Sequence, residues 1–289
     1  MNLFTYRKSV VTAAATLALI PATAFAATIN GGPGNERLRG TNVADIINGN
    51  AGNDLIRGFG GDDKINGGSG NDRLFGGAGN DTIAGVQGND LINGGTGDDN
   101  ISGDANGAGD LTSFDRLYGG AGNDTIHGGD SADRIGGGTG NDTTFGENGN
   151  DKMAGGSGDD VQDGGAGNDV IYANLGQDTS NGGDGNDVLW ALARGDVHPG
   201  PNGAVDQVGD TLNGGNGDDT FRTRDGEVDR ITCGPGNDTA ILDQVDVITD
   251  ATAENPNGSC EKVIRKAPKA ADSKSEDAQA SPAEAQVTQ

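Results

Sequence analysis

The sequence predicts an all-β fold, a parallel β-roll (a β-solenoid) assembled from nine-residue units. Three observations predict it: an aspartate at every ninth position, an aliphatic residue two places after most of those aspartates, and 55 glycines in 289 residues. Hydrophobic residues make up 32% of the chain and aromatics 4%, against a formal net charge of -25. Without a period such a composition reads as disorder, because too little apolar surface is available to offset the ordering entropy. A strict internal period changes that reading. The acidic balance favours cations as partners over nucleic acid or an anionic membrane.

Residues 1–26 stand apart. MNLFTYRKSVVTAAATLALIPATAFA starts with basic Arg7 and Lys8, continues with an apolar run from Val10 to Ile20, and closes on Ala24-Phe25-Ala26, the small-x-small pattern of a signal-peptidase site. The run is short for a membrane span, so the segment reads as a signal peptide and not as an anchor. Its removal takes away Arg7 and Lys8 and moves the net charge from -25 to -27. No other segment of the sequence is apolar enough to cross a membrane. The expected location is extracellular, where calcium is plentiful and cysteines oxidise.

Residues 27–241 form the expected roll. Aspartates recur at Asp45, Asp54, Asp63, Asp72, Asp81, Asp90 and Asp99, then at Asp115, Asp124, Asp133, Asp142, Asp151, Asp160, Asp169, Asp178 and Asp187. They continue less regularly at Asp210, Asp219, Asp229 and Asp238, and Glu36 takes that place in the first unit. The aliphatic place that follows (Ile47, Ile56, Ile65, Leu74, Ile83 and their equivalents) fits neither a helix nor plain alternation. The GGxGxD part of each unit asks for positive φ, which glycine supplies and Asn53, Asn71, Asn80 and Asn89 tolerate. The remaining residues, such as Thr82-Ile83-Ala84, are expected to form a short strand with the middle side chain inward. One unit is then half a coil, and strands eighteen residues apart stack in a parallel sheet.

Stacking brings like charges together. The turn Gly67–Asp72 falls over Gly49–Asp54, and both aspartates face the gap between the turns. Left alone, those carboxylates repel. A Ca2+ ion in the gap would take about six oxygen ligands, carboxylate and backbone carbonyl alike. The candidate ligands are the aspartates of the series other than Asp229, with backbone oxygens at Gly49, Gly52, Gly67, Gly70, Gly76 and Gly79. On the order of a dozen ions, each held by about two carboxylates, would nearly cancel the charge of the mature chain.

These units, GGSGNDRLF and GGAGNDTIA among them, resemble the RTX (hemolysin-type calcium-binding) nonapeptide repeat GGxGxDxUx. The resemblance covers roughly Thr28 to Ile241. It implies a right-handed roll with ladders of Ca2+ along each column of turns. Relatives of the repeat that act as proteases, lipases or pore-formers hold those activities in separate domains, and no stretch here is left for one.

Several units depart from the pattern. Gly40–Asp45 (GTNVAD) and Gly128–Asp133 (GGDSAD) lack the fourth glycine, and Ala173–Asp178 (ANLGQD) lacks the first two. An ion is less expected at those turns, and least at Glu36. Insertions within Gly103–Tyr118 and Ala191–Asn213 add seven and fourteen residues, yet the period resumes after each, so they read as loops on one edge of a continuous roll. Thr144, Gln162 and Ser180 take the inward aliphatic place and should stack on three adjacent strands, opposite Met153, Ile171 and Leu189. Decay of the repeat is the favoured reading of that trio, a hydrated slot the other. Tyr172 and Trp190 are expected side by side on an outer face, as β-formers covering the sheet or, less favoured, as a platform for sugars.

Cys233 and Cys260 are the only cysteines, and in an exported chain a disulfide is the default. It would tie the last repeat to a C-terminal cap, residues 242–265, and is worth roughly 3 kcal/mol by loop closure. His127 and His198 fall outside any metal or triad pattern, and neither H-E-x-x-H nor G-x-S-x-G occurs, so no catalysis is expected. Residues 266–289 read as a disordered tail of Ala, Pro, Ser and mixed charge. The expectation is a secreted calcium-binding repeat protein that folds on binding Ca2+, a structural or adhesive module with surface or matrix glycans or proteins as partners. The alternatives are a calcium-dependent carbohydrate-binding protein and a remnant of an RTX toxin or hydrolase without its catalytic domain.

Overall fold

The computed structural model describes residues 26–104, 113–191 and 209–267. The signal-peptide reading, the centres of both insertions and most of the tail lie outside the described residues. Within them the regular elements are all strands, from β1 (Thr28–Asn30) to β24 (Lys262–Arg265), and no helix is long and apolar enough to cross a membrane. Odd-numbered strands stack in chain order into one twelve-stranded sheet and even-numbered strands into a second. The chain crosses from one sheet to the other with every unit, so two strands make one coil of a parallel β-solenoid.

Register follows the period. Ile47 in β3 (Ile46–Ala51) pairs with Ile65 in β5 (Lys64–Ser69), which pairs with Ile83 in β7 (Thr82–Gln87). Ile101 pairs with Ile126 across the first insertion and Ser180 with Leu212 across the second. The strands are longer than the three residues expected, however: β7 spans six. Ladder hydrogen bonds continue into the turn, where the N–H groups of Gly70 and Gly79 donate to the carbonyls of Gln87 and Thr96 at 2.8 Å. Glycine here extends the strand before it turns it.

Alternation puts Asp81, Ile83 and Gly85 inside and leaves Thr82 exposed. The core is therefore a double file of aliphatic side chains, with Ile47, Ile65 and Ile83 from the first sheet against Ile56, Leu74 and Ile92 from the second, all at most 3% exposed. One such side chain per unit stabilises the roll by only about 1.5–3 kcal/mol. The turns must add cohesion of another kind.

Thr144, Gln162 and Ser180 do lie in register on β13 (Thr143–Asn148), β15 (Val161–Ala166) and β17 (Thr179–Asp184), each 1% exposed. They differ in how they are satisfied. Oriented to suit its neighbours, the Gln162 amide accepts from the Gly155 N–H at 3.0 Å and donates to the Tyr172 carbonyl at 3.1 Å and to Ser180 Oγ at 3.2 Å. Thr144 Oγ1 is buried with no partner. At the far end, β23 (Val247–Ile248) and β24 add the last strand to each sheet, and a Cys233–Cys260 disulfide, with Cα atoms 5.2 Å apart, fastens the segment between them. Residues 242–265 thus continue the stack as well as closing it.

Candidate metal centres

The aspartate of each unit immediately precedes a strand, and alternation aims it inward. Every aspartate of the series from Asp45 to Asp238 is at most 3% exposed. Their two oxygens have different surroundings. Oδ1 accepts a hydrogen bond from the backbone N–H of the aspartate one coil earlier, as in Asp45 to Asp63 at 2.7 Å, Asp54 to Asp72 at 2.7 Å and Asp63 to Asp81 at 2.8 Å. The ladder crosses both insertions, from Asp90 to Asp115 at 2.7 Å and from Asp178 to Asp210 at 3.0 Å. Oδ2 is buried without a hydrogen-bond partner at Asp54, Asp63, Asp72, Asp81, Asp90 and Asp99, among others.

Glycine decides what Oδ2 faces. A Cβ placed on Gly85 would collide with Oδ2 of Asp90 and with the carbonyl of Gly103, the equivalent residue of the next coil. Gly49 stands in the same relation to Asp54 and Gly67, Gly67 to Asp72 and Gly85, and Gly76 to Asp81 and Gly94. The missing methyl leaves a space in which a carboxylate oxygen and a carbonyl oxygen converge. Gly52, Gly70 and Gly79 serve the turn differently: at φ of 108°, 125° and 129° they occupy the left-handed region. Gly70 also packs on the carbonyl of Gly52, and Gly79 on that of Gly61, where no side chain would fit.

An oxygen-only, anionic space with no donor suits a hard cation such as Ca2+. Among the described residues no group of three or more His, Cys, Asp or Glu side chains converges as a metal site. Any ion here would rest on backbone carbonyls as much as on carboxylates. Without one, the carboxylates are held above their ordinary range. Burial, opposed by the hydrogen bond from the coil before and reinforced by neighbouring carboxylates, pushes Asp63, Asp72 and Asp81 up to about 6, Asp133 to about 8 and Asp90 to about 9.

Asp45, in the aberrant turn GTNVAD, goes the other way. Burial pushes its carboxyl up, but the N–H groups of Ala27 and Thr41 and the Thr41 hydroxyl outweigh this and lower it. Its Oδ2 accepts from the Thr41 N–H at 2.6 Å and from Thr41 Oγ1 at 3.0 Å, so the oxygen left bare at Asp54 is used here. In the first unit, Glu36 Oε2 accepts from the Gly32 N–H at 3.3 Å. In GGDSAD, by contrast, Ser131 adopts the fourth-glycine conformation at φ 83°, and Oδ2 of Asp133 stays bare.

The ladder also runs past the candidates. Asp229 accepts from the Asp210 N–H at 2.8 Å, Asp246 from the Asp229 N–H at 3.3 Å and Glu261 from the Asp238 N–H at 2.8 Å. Sequence separations of 19, 17 and 23 residues put these links off the period of eighteen, which places Asp229 only irregularly and does not reach Asp246 or Glu261. The available signal was the pair of inward places, acid then aliphatic, as in Asp246 and Ile248.

Two other groups singled out by the sequence are committed to packing. The rings of Tyr172 and Trp190 stack 5.9 Å apart, with Lys152 over the first at 5.2 Å and Arg222 over the second at 4.7 Å. Tyr172 is left 5% exposed, covering the sheet and offering no open ring face. His127 stacks on Phe145 at 4.8 Å and pairs through Nδ1 with Glu147 at 2.8 Å.

The family model of the RTX calcium-binding nonapeptide repeat matches residues 30–58, 39–74, 75–106, 112–144, 145–162, 163–189 and 209–240, more than half of the chain. No curated protein sequence matches the chain. With a parallel solenoid whose turns repeat that motif coil after coil, the chain belongs to the RTX calcium-binding nonapeptide repeat family.

Proposed function

We propose that the chain is an exported structural module whose roll closes when Ca2+ fills the spaces between stacked turns. One observation carries the reading: a file of buried, unpartnered Oδ2 atoms, which at Asp54, Asp63, Asp72, Asp81, Asp90 and Asp99 converge with a glycine carbonyl where a Cβ would otherwise stand. A buried charge without a partner destabilises a fold by several kcal/mol, and here one recurs in nearly every turn. Asp54, Asp72 and Asp90 in one column, and Asp63, Asp81 and Asp99 in the other, would hold the ions together with glycine carbonyls of adjacent coils. The bound ion supplies positive charge that draws successive coils together. The chain is then loose and self-repelling at low calcium and condenses where calcium is abundant.

Export is supported by the basic start, apolar run and Ala24-Phe25-Ala26 close of residues 1–26, and by the Cys233–Cys260 bond. The role this suggests is a rod that displays its outer faces at a cell surface or in matrix, with no catalytic step. The test is a calcium titration of the purified chain followed by far-ultraviolet circular dichroism, with magnesium as the control. A steep, calcium-specific gain of strand signal is expected. Full strand signal in excess chelator at neutral pH would overturn the reading.

A further inference from the structure

The acidic composition does not describe the outer surface. The sixth-place aspartates of the turns point inward, while Asp62, Asp98, Asp159 and Asp218 stand exposed at the fifth place of their turns; the charges borne by the strands themselves sort by sheet. No even-numbered strand contains an acidic residue, whereas Arg37, Arg57, Arg73, Arg116, Arg134 and Lys152 lie on six of the first seven of them. The odd-numbered strands hold Asp104, Asp130, Glu147, Asp163 and Asp184, with Lys64 and Arg230 as their cations. Arg37, Arg73, Arg116 and Arg134 are exposed at the outward first place of their strands. Among the described residues none of these six cations enters an ion pair; the one ion pair there is His127 with Glu147. Some are steadied by rings instead. Arg57 lies over Phe75 at 5.7 Å, and Arg116 and Arg134 lie over Phe114 at 5.1 and 5.7 Å. A ring holds a guanidinium without neutralising its charge.

We infer that the outer face of the even-numbered sheet is a docking strip for a linear acidic polysaccharide, whose carboxylate or sulfate groups lie along the roll axis against these cations. Charge complementarity carries the assignment, and shape narrows it. Coils stack about 4.8 Å apart, so the face offers a cation at nearly every such step over its first seven strands. That repeat is comparable with one sugar residue of an extended chain. The strip is only as wide as the outward part of a strand, which suits one polymer chain and not a membrane plane. Nucleic acid fits less well, because single strands bind by stacking bases on free rings. Here the rings of Phe75 and Phe114 carry guanidinium groups, and Tyr172 is buried. Arginine recognises carboxylate and sulfate through paired N–H donors and needs no free ring to do so.

The test measures binding of a size-defined heparin oligosaccharide to the full chain, in whichever calcium condition circular dichroism shows it folded. Failure of the calcium reading therefore leaves this inference testable. Neutral dextran and an oligothymidylate of equal charge are the comparators. Heparin is expected to bind, dextran not at all and the oligothymidylate more weakly, with affinity falling steeply as salt rises. Arg37→Gln combined with Arg73→Gln, neither of which lies over a ring, should weaken heparin binding roughly tenfold without changing the dichroism. Should that variant misfold, Arg116→Gln with Arg134→Gln repeats the measurement further along the strip. Lys64→Gln on the opposite sheet should change nothing. Absence of heparin binding, an equal loss in Lys64→Gln, or tighter binding of the oligothymidylate would each overturn the inference.

Discussion

The two columns of turns begin alike and end differently. Where the chain leaves the odd-numbered sheet, the inward place is glycine from Gly31 to Gly214 and becomes Cys233 only at the last repeat. Where it leaves the even-numbered sheet, glycine holds from Gly40 to Gly155 and then gives way to Ala173, Ala191, Thr223 and Leu242, each at most 1% exposed. Gly137 leaves a space between the carboxylate of Asp142 and the carbonyl of Gly155, and Ala173 fills the equivalent space with a methyl group. On the calcium reading we propose, an aspartate by itself would not make an ion site; the absent Cβ would. Asp178 keeps its strand and its place in the hydrogen-bonded ladder after that space is gone. At the changeover the Gln162 amide bonds both the Gly155 N–H and the Tyr172 carbonyl. A side chain there ties backbone together across the interior, as we propose an ion does in earlier coils.

The largest effect should come from stripping both columns of ions and varying pH. Carboxylates raised in the folded chain, to about 6 at Asp63 and about 9 at Asp90, favour folding most fully below their unfolded value near 4. That stability is lost as pH rises through about 6 to 9. In chelator the strand signal should therefore persist at about pH 5 and disappear toward about pH 9, while the calcium-loaded chain changes little over that range. Equal melting temperatures in chelator at the two ends would refute this. Next comes Gly85→Ala, whose new Cβ would press on Asp90 and Gly103. It should cost about 1–3 kcal/mol and remove one ion by native mass spectrometry; an unchanged ion count would break the comparison between the columns.

Smaller effects sharpen it. Gln162→Leu strands the Gly155 N–H and the Tyr172 carbonyl and should lower stability by about 1–2 kcal/mol in saturating calcium. Thr144→Val removes a hydroxyl that bonds nothing and should raise it by about 1 kcal/mol. Matching shifts in thermal melts would mean the polar trio acts as one unit. The smallest change in stability, within about 1 kcal/mol, is expected for Ala173→Gly. Its decisive readout is the ion count, which should rise by one; no rise would show that the second column is closed by more than one methyl group.

The period made the coil legible: Asp72 to Asp90 and Leu74 to Ile92 are eighteen apart because they stack, and no packing detail is needed to see it. Strand length was not legible, since a glycine-rich pattern signals a turn and hides that the ladder bonds of Gly70 and Gly79 run on through it. Whether a carboxylate is bare or satisfied was also hidden. Thr41 reaches Asp45 by a turn geometry that the letters GTNVAD do not specify. The trio of Thr144, Gln162 and Ser180 was placed on the right strands, but decay fits Thr144 and not Gln162, whose bonds depend on the opposite sheet. Asp229 was legible as a member of the series but not as a ligand candidate, and Asp246 was not legible as its ladder partner, because single-residue irregularities break a count that the backbone absorbs.

The aspartate ladder has a direction. Each N–H is capped from the coil ahead and none from the coil behind: Asp45 by Asp63, Asp219 by Asp238, and finally Asp238 by Glu261. In this ladder each aspartate is therefore capped by its successor, and the last of the column that ends at Asp238 by a glutamate next to Cys260, which is bonded to Cys233. Synthesis proceeds from the other end. A growing chain is expected to carry its unfinished edge forward at every step, always one coil short of closure, until the final acid arrives. The disulfide then fastens the segment that carries this final acid to the last repeat.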